Sequence, residues 1–90
     1  MDNLTAVQER IDAALDHEAN ALLELSHTIH ANPEIRFEEV KASAWLADAL
    51  EARGFEVERG VAELPTAFRA VKRGLPGGPT VAVLCEYDAL

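Results

Sequence analysis

The sequence is poor in most of what specialised proteins rely on. Cysteine occurs once, at Cys85, so no internal disulfide can form, which agrees with a reducing compartment. Lysine and arginine total 8 against 16 aspartates and glutamates, a formal charge of −8. A surface of that sign repels phosphate backbones and anionic lipid, so neither nucleic acid nor membrane is expected as a partner. No apolar run approaches the roughly 20 residues of a bilayer span. The first residues carry acids where a signal peptide needs a basic stretch and an apolar core, so a cytoplasmic setting is expected. There is no phosphate-cradling glycine loop, nucleophile elbow, zinc-finger spacing or internal repeat.

What remains is the balance of a globular domain, with 49% apolar and 27% charged residues over 90 positions. A chain of that size buries only about 60–65% of the surface its unfolded form exposes, so its stability margin is thin. From Asn3 to Ala31 there is no proline or glycine, and Leu4, Ile11, Leu15, Leu22, Leu25 and Ile29 recur at helical spacing. The pattern predicts a helix over about 4–31 with one buried stripe. Asp12, Asp16 and Glu24 then lie on its solvated face, and Thr5 and Gln8 stand at capping-box spacing near its start. Asn32-Pro33 supplies the break at its end.

A second helix is expected over about 37–53, marked by Val40, Ala44, Ala47 and Leu50, with Glu38 and Glu39 favourable in its first turn. Gly54 falls where a left-handed residue closes a helix, with Leu50 and Phe55 placed for the accompanying apolar contact. Alternation at Phe55, Val57, Arg59 and Val61 predicts a strand over about 55–61, and a second follows over about 66–72 after a turn at Leu64-Pro65. Leu75-Pro76-Gly77-Gly78-Pro79 is a tight turn by composition. It leads into Thr80-Val81-Ala82-Val83-Leu84-Cys85, apolar on both faces, which predicts a third strand over about 79–86 in the interior of a sheet. The class is therefore α/β, two N-terminal helices followed by three strands. Because two helices cover one face only, the sheet looks like part of a larger one.

Glu86-Tyr87-Asp88-Ala89-Leu90 places two carboxylates and a phenol just past the carboxyl end of that strand, the edge where open α/β sheets bind ligands. Carboxylates two apart on extended backbone point to one side. Glu86 and Asp88 could thus orient a histidine, bind a metal or handle a proton, or they could simply mark the chain's return to water. His27 and His30 stand three apart on the first helix, near its C-terminus, where a favourable interaction with the helix dipole accounts for them without a metal. Cys85, inside an apolar run, is expected to pack rather than react, and Trp45, on an alanine-rich helix, to join the core.

Taken together, His30-Ala31-Asn32-Pro33-Glu34, Phe37-Glu38-Glu39 and Arg53-Gly54-Phe55-Glu56-Val57 resemble the opening of the co-catalytic metallopeptidase family, which includes aminoacylases, glutamate carboxypeptidases and auxin-conjugate amidohydrolases. The resemblance runs from about Leu22 to Leu90. Leu64-Pro65-Thr66-Ala67-Phe68-Arg69-Ala70 with Glu86-Tyr87-Asp88-Ala89-Leu90 is most similar to the branch containing p-aminobenzoyl-glutamate hydrolase and β-alanyl-lysine dipeptidase-like proteins. In most of the family this strand ends in His-x-Asp, the histidine binding metal and the aspartate orienting it. The resemblance therefore implies an orienting role for Asp88. Glu86 stands in the histidine's place, so the metal role does not carry over to it.

The resemblance further implies a metal-dependent amidohydrolase or peptidase acting on N-acyl amino acids or dipeptide-like substrates. Zinc or manganese would be held in the complete enzyme by residues outside this chain, and a homo-oligomer is compatible with the family. The 90 residues read as an N-terminal fragment of a zinc-peptidase-like catalytic domain without its lid or dimerisation domain, inactive and metal-free alone. The alternative is a non-enzymatic interaction module, or a truncated product, pairing through its apolar strand.

Overall fold

The computed structural model describes residues 2–90. Helix α1 spans Asp2–Ala31 and helix α2 spans Val40–Ala52. Strand β1 (Glu56–Arg59) pairs antiparallel with β2 (Phe68–Val71), and a short 3₁₀ turn, Val61–Glu63, lies between them. The order helix, helix, strand, strand is mixed α/β, as the periodicity predicts.

Helix α1 begins earlier than expected, so Thr5 lies inside it and does not cap it. Its far end stops where Asn32-Pro33 requires. The Asn32 side-chain amide donates to the Thr28 carbonyl at 2.9 Å, and its backbone N–H donates to Ile29 at 3.1 Å. Asn32 keeps a negative φ, so its tolerance for the left-handed region is not used. The expected buried stripe forms only in part. Leu25 and Ile29 are half-buried, whereas Leu4 is 66% and Leu15 53% exposed. The reason is length. Helix α2 has 13 residues and runs back along α1 from the connection at Asn32, so it reaches only as far as Glu18, whose carboxylate pairs with Arg53 at the end of α2. Everything before Glu18 extends past the helix that would cover it.

Helix α2 starts at Val40, after Glu38 and Glu39 rather than before them, and its end is the motif predicted at Gly54. Gly54 has φ +90°, its N–H donates to Glu51 at 3.1 Å, and the Phe55 N–H reaches back to Leu50 at 3.1 Å, the two bonds of a Schellman closure. Beyond it the chain enters the hairpin, in register Glu56↔Val71, Val57↔Ala70, Glu58↔Arg69 and Arg59↔Phe68. Both strands are shorter than expected. Helix α2 lies against them through small side chains, and Ala42 and Ala47, each 1% exposed, are the fully buried apolar residues among those described. Trp45 is half-buried. Arg59 bridges from β1 to Asp48 at 2.7 Å and Lys72 donates to the Arg53 carbonyl at 2.9 Å, contacts too exposed to contribute more than about 1 kcal/mol each.

The third strand does not form among the described residues. The turn ahead of it is present, with Gly77 at φ +85°, but 79–86 makes no ladder hydrogen bonds, and Val81, Val83 and Leu84 are 82%, 80% and 96% exposed. A strand apolar on both faces needs a neighbouring strand and a layer on each side, and here β1 and β2 pair with each other while α2 covers one face of them. The accessible surface of 7758 Å² compares with about 5,200 Å² for a compact monomer of this mass. The radius of gyration, 15.4 Å, compares with about 12 Å for a compact chain of this length. The excess resides in the outer half of α1 and in this segment. No described helix is long and apolar enough to cross a membrane.

Gly54→Ala should lower stability by about 1–2 kcal/mol, the usual cost of a side chain in the left-handed region, in urea unfolding followed by the fluorescence of Trp45. Gly78→Ala, where φ is ordinary and the added carbon would meet nothing closer than 3.7 Å, should stay within about 0.5 kcal/mol of the parent.

Candidate functional site

A break in the helix pattern starts the site. Between α1 and α2 the chain turns at Ile35–Glu38, closed by a 3.0 Å bond from the Glu38 N–H to the Ile35 carbonyl, with Phe37 at φ +65°. A bulky residue in that region is uncommon and marks a backbone held by its surroundings. The holding group is Glu34. Its carboxylate accepts the backbone N–H groups of Lys41 at 3.0 Å and Ala42 at 2.8 Å, so it caps α2 from outside the helix. Helix N-terminal N–H groups lack intrahelical partners and favour negative charge, and these two bonds hold the Glu34 carboxyl below the usual glutamate range. Glu39, at the capping position itself, makes no capping bond. Its carboxylate instead accepts the hydroxyl of Thr66 at 3.0 Å.

Thr66 is the buried polar residue of the described chain, 8% exposed, and its hydroxyl and its carbonyl are both used. Its hydroxyl reaches Glu39, and its carbonyl accepts the Tyr87 phenol at 2.5 Å. The Tyr87 ring also stacks on Phe68 of β2, with centroids 5.9 Å apart and planes 25° from parallel. Partial burial, and then the negative charge of Glu39, push the phenol pKa up. Two residues on, the Ala89 N–H donates to the Glu34 carbonyl at 2.7 Å. The acid-bearing end of the sequence is therefore fastened to both the α1–α2 connection and the start of β2.

These fastenings border an open cleft of about 350 Å³, lined by Arg36, Glu39, Thr66, Glu86, Tyr87 and Asp88 among others. Asp88 is half-buried in it, and Glu86 lies exposed at its rim. Arg36 contributes positive charge to a lining whose other charged residues, Glu39, Glu86 and Asp88, are acidic. Cys85 also lines the cleft and is exposed, so the packing expected of it is not found. Its apolar neighbours have no layer to pack into. His27 and His30 are both exposed on α1 and do not border the cleft. Among the described residues no three histidine, cysteine, aspartate or glutamate side chains come together as a metal site would need, so the donor set present does not fit the metal that the family resemblance implies.

The capping role of Glu34 and the anchoring roles of Thr66 and Tyr87 do not follow from the sequence patterns, although all three residues lie within the motifs quoted above. The visible signals were slight: an acid directly after Asn32-Pro33, and a lone threonine among apolar residues opening a strand.

Comparison with known proteins follows the same lines. The chain is 41% identical over 80 residues to one of the subunits of p-aminobenzoyl-glutamate hydrolase from Escherichia coli (strain K12), covering 89% of this chain and 16% of that protein. It is 41% identical over 69 residues to thermostable carboxypeptidase 2 of Saccharolobus solfataricus, covering 77% of this chain and 17% of the relative. It is 36% identical over 100 residues to the Xaa-Arg dipeptidase of Mus musculus, covering 97% of this chain and 22% of that enzyme. No family profile and no solved structure matches the chain. The chain belongs to the amidohydrolase and peptidase family that these relatives represent, and it spans about a sixth to a fifth of their length.

The depressed pKa of Glu34 fixes a sign. Its contribution to folding is fully present above the usual glutamate range and is lost as pH falls through its lower folded value. The amide proton resonances of Lys41 and Ala42 should therefore titrate together, with a midpoint below that range, and should stay flat in Glu34→Gln. A midpoint at or above the ordinary range would contradict the cap.

Proposed function

We propose that these residues form part of the centre of an amidohydrolase or peptidase that hydrolyses amide bonds of N-acyl amino acids or dipeptide-like substrates. Asp88 serves as an orienting carboxylate and Glu86 as a second acid at the rim. The observation that carries this reading is the half-buried Asp88 in a cleft whose volume, about 350 Å³, is at the small-ligand end of binding sites. An orienting carboxylate accepts an imidazole or substrate N–H and fixes its direction, which selects one tautomer or one attack geometry. Arg36 offers a guanidinium to a substrate carboxylate at the same cleft. The names of the relatives, a p-aminobenzoyl-glutamate hydrolase, a carboxypeptidase and a dipeptidase, support the substrate class.

Residues 1–90 are read as one part of a catalytic domain, with the lid or dimerisation domain not among them. The zinc or manganese implied by the family is not assigned to any described residue, and no step is routed through it. The lone cysteine and acidic charge suit a cytoplasmic setting, and a homo-oligomer suits the family.

A chimera tests this. Exchanging the segment of the Escherichia coli hydrolase that corresponds to this chain for residues 1–90, Asp88 included, should preserve hydrolysis of p-aminobenzoyl-glutamate. Asp88→Asn in the chimera should then reduce the rate about 10- to 100-fold. A chimera whose activity is indifferent to Asp88→Asn would remove Asp88 from the site. For the 90 residues alone, calorimetry should show no tight zinc or manganese binding. Micromolar binding that disappears in Asp88→Ala would overturn the assignment of metal ligands to other residues.

One observation favours a second reading, an interaction module. Val81, Val83 and Leu84 are exposed on a segment with no ladder partner, which is a template for pairing with another chain. In sedimentation a defined dimer, lost on Val83→Lys, would support pairing through this segment, and a monomer at all accessible concentrations would count against it.

A further inference from the structure

The upstream neighbour of the acidic pair, residues 79–84, has no strand partner and is exposed throughout, yet Asp88 is half-buried in a defined place. Something other than the sheet must hold it there. The residues immediately before and after Asp88 are each fastened, and to different parts of the fold. Tyr87 is held through its side chain, by the 2.5 Å bond from its hydroxyl to the Thr66 carbonyl and by its stack on Phe68. Ala89 is held through its backbone, by the 2.7 Å bond from its N–H to the Glu34 carbonyl. That carbonyl is itself fixed, because the Glu34 carboxylate is anchored on the N–H groups of Lys41 and Ala42 at the start of α2.

We propose that Tyr87 and Glu34 are positioning residues for Asp88: they grip the backbone on either side of it and set where its carboxylate stands in the cleft, independently of whether residues 79–84 are in a sheet. This deepens the hydrolase reading and rests on it for the functional consequence. Neither residue is assigned a contact with the reacting atoms. Tyr87 acts through one hydroxyl donor, and Glu34 through the fixed direction of its peptide carbonyl. Fixing residues 87 and 89 leaves Asp88 two backbone dihedrals and its own rotamer as freedom, whereas an ungripped residue at a chain end samples many conformers. A carboxylate that orients a partner must stand within a few tenths of an ångström of its place, and a grip on both flanks supplies that tolerance.

Two variants of the 90-residue chain separate the grip from general stability. Tyr87→Phe keeps the ring stack and removes the hydroxyl. Glu34→Ala keeps the peptide carbonyl and removes its anchor. In each, amide exchange at Ala89, whose N–H donates to the Glu34 carbonyl, should accelerate at least about tenfold, the ratio equivalent to a loss of about 1.4 kcal/mol. Protection at Glu58 and Arg69, a hydrogen-bonded pair of the hairpin, should stay as in the parent. Thr66→Val, which keeps the carbonyl that holds Tyr87, should leave Ala89 less affected than Tyr87→Phe does. Should Glu34→Ala unravel α2, Tyr87→Phe decides alone.

In the hydrolase chimera, Tyr87→Phe should lower kcat with KM within about twofold, and Glu34→Gln, which retains one acceptor, should recover part of what Glu34→Ala loses. Unchanged exchange at Ala89 in Tyr87→Phe would overturn the grip. Faster exchange with unchanged kcat would overturn the positioning role. Loss of the hydrolase reading itself would appear differently, as a chimera indifferent to Asp88→Asn while the exchange effects persist.

Discussion

Thr66 is the point on which the arrangement of this chain depends. Its carbonyl takes the Tyr87 hydroxyl and its own hydroxyl goes to Glu39, so the end of the chain, the entrance to β2 and the start of α2 meet at one buried residue. Buried polar groups are costly unless paired, and here the hydroxyl and the carbonyl of the threonine are paired. That requirement selects one arrangement of three stretches far apart in sequence. Helix α2 adds the apolar part, with Ala42 and Ala47 small enough to let it lie close on the hairpin. Together these make a small ordered centre in a chain that otherwise exposes much apolar surface.

That surface also explains the uneven order of the structure. The outer half of α1 and residues 79–84 present Leu4, Leu15, Val81 and Val83 to solvent, while the segment just beyond, carrying Asp88, is fastened. Apolar exposure of this extent marks contact surfaces rather than finished ones. The chain matches relatives of which it spans about a sixth to a fifth, and the cleft is bordered by Asp88, in the segment directly following residues 79–84, and lies at the end of α1 away from Leu4 and Leu15.

Much of this was legible in the sequence wherever the determining signals are local. The break at Asn32-Pro33, the Schellman closure at Gly54 and the turn at Gly77 each depend on residues within one turn of chain, and each appears where expected. The helix stripe was read correctly as a pattern and wrongly as burial, because periodicity tells which face would be buried and not how long the covering helix is. The apolar run at 80–85 likewise declared what it needs, a sheet on both sides, which the two strands described here do not provide. The resemblance to amidohydrolases pointed to the correct family, and Asp88 and Glu86 do border one cleft. What could not be read were the long-range fastenings. Glu34 caps a helix that starts six residues later, a separation outside any capping pattern, and Tyr87 finds a backbone carbonyl 21 residues away. Such bonds are set by the fold and leave no spacing rule behind.

Whether the acidic end of this chain is docked on the hairpin, and not trailing in solvent, is open to one direct measurement. Tyr87 is the only tyrosine, so its ring protons can be observed without overlap from another. In a solution spectrum of the 90-residue chain, docking predicts nuclear Overhauser contacts from the Tyr87 ring to Phe68 and to the residues around Thr66. A tyrosine with free-peptide shifts and contacts only to Glu86 and Asp88 would contradict it.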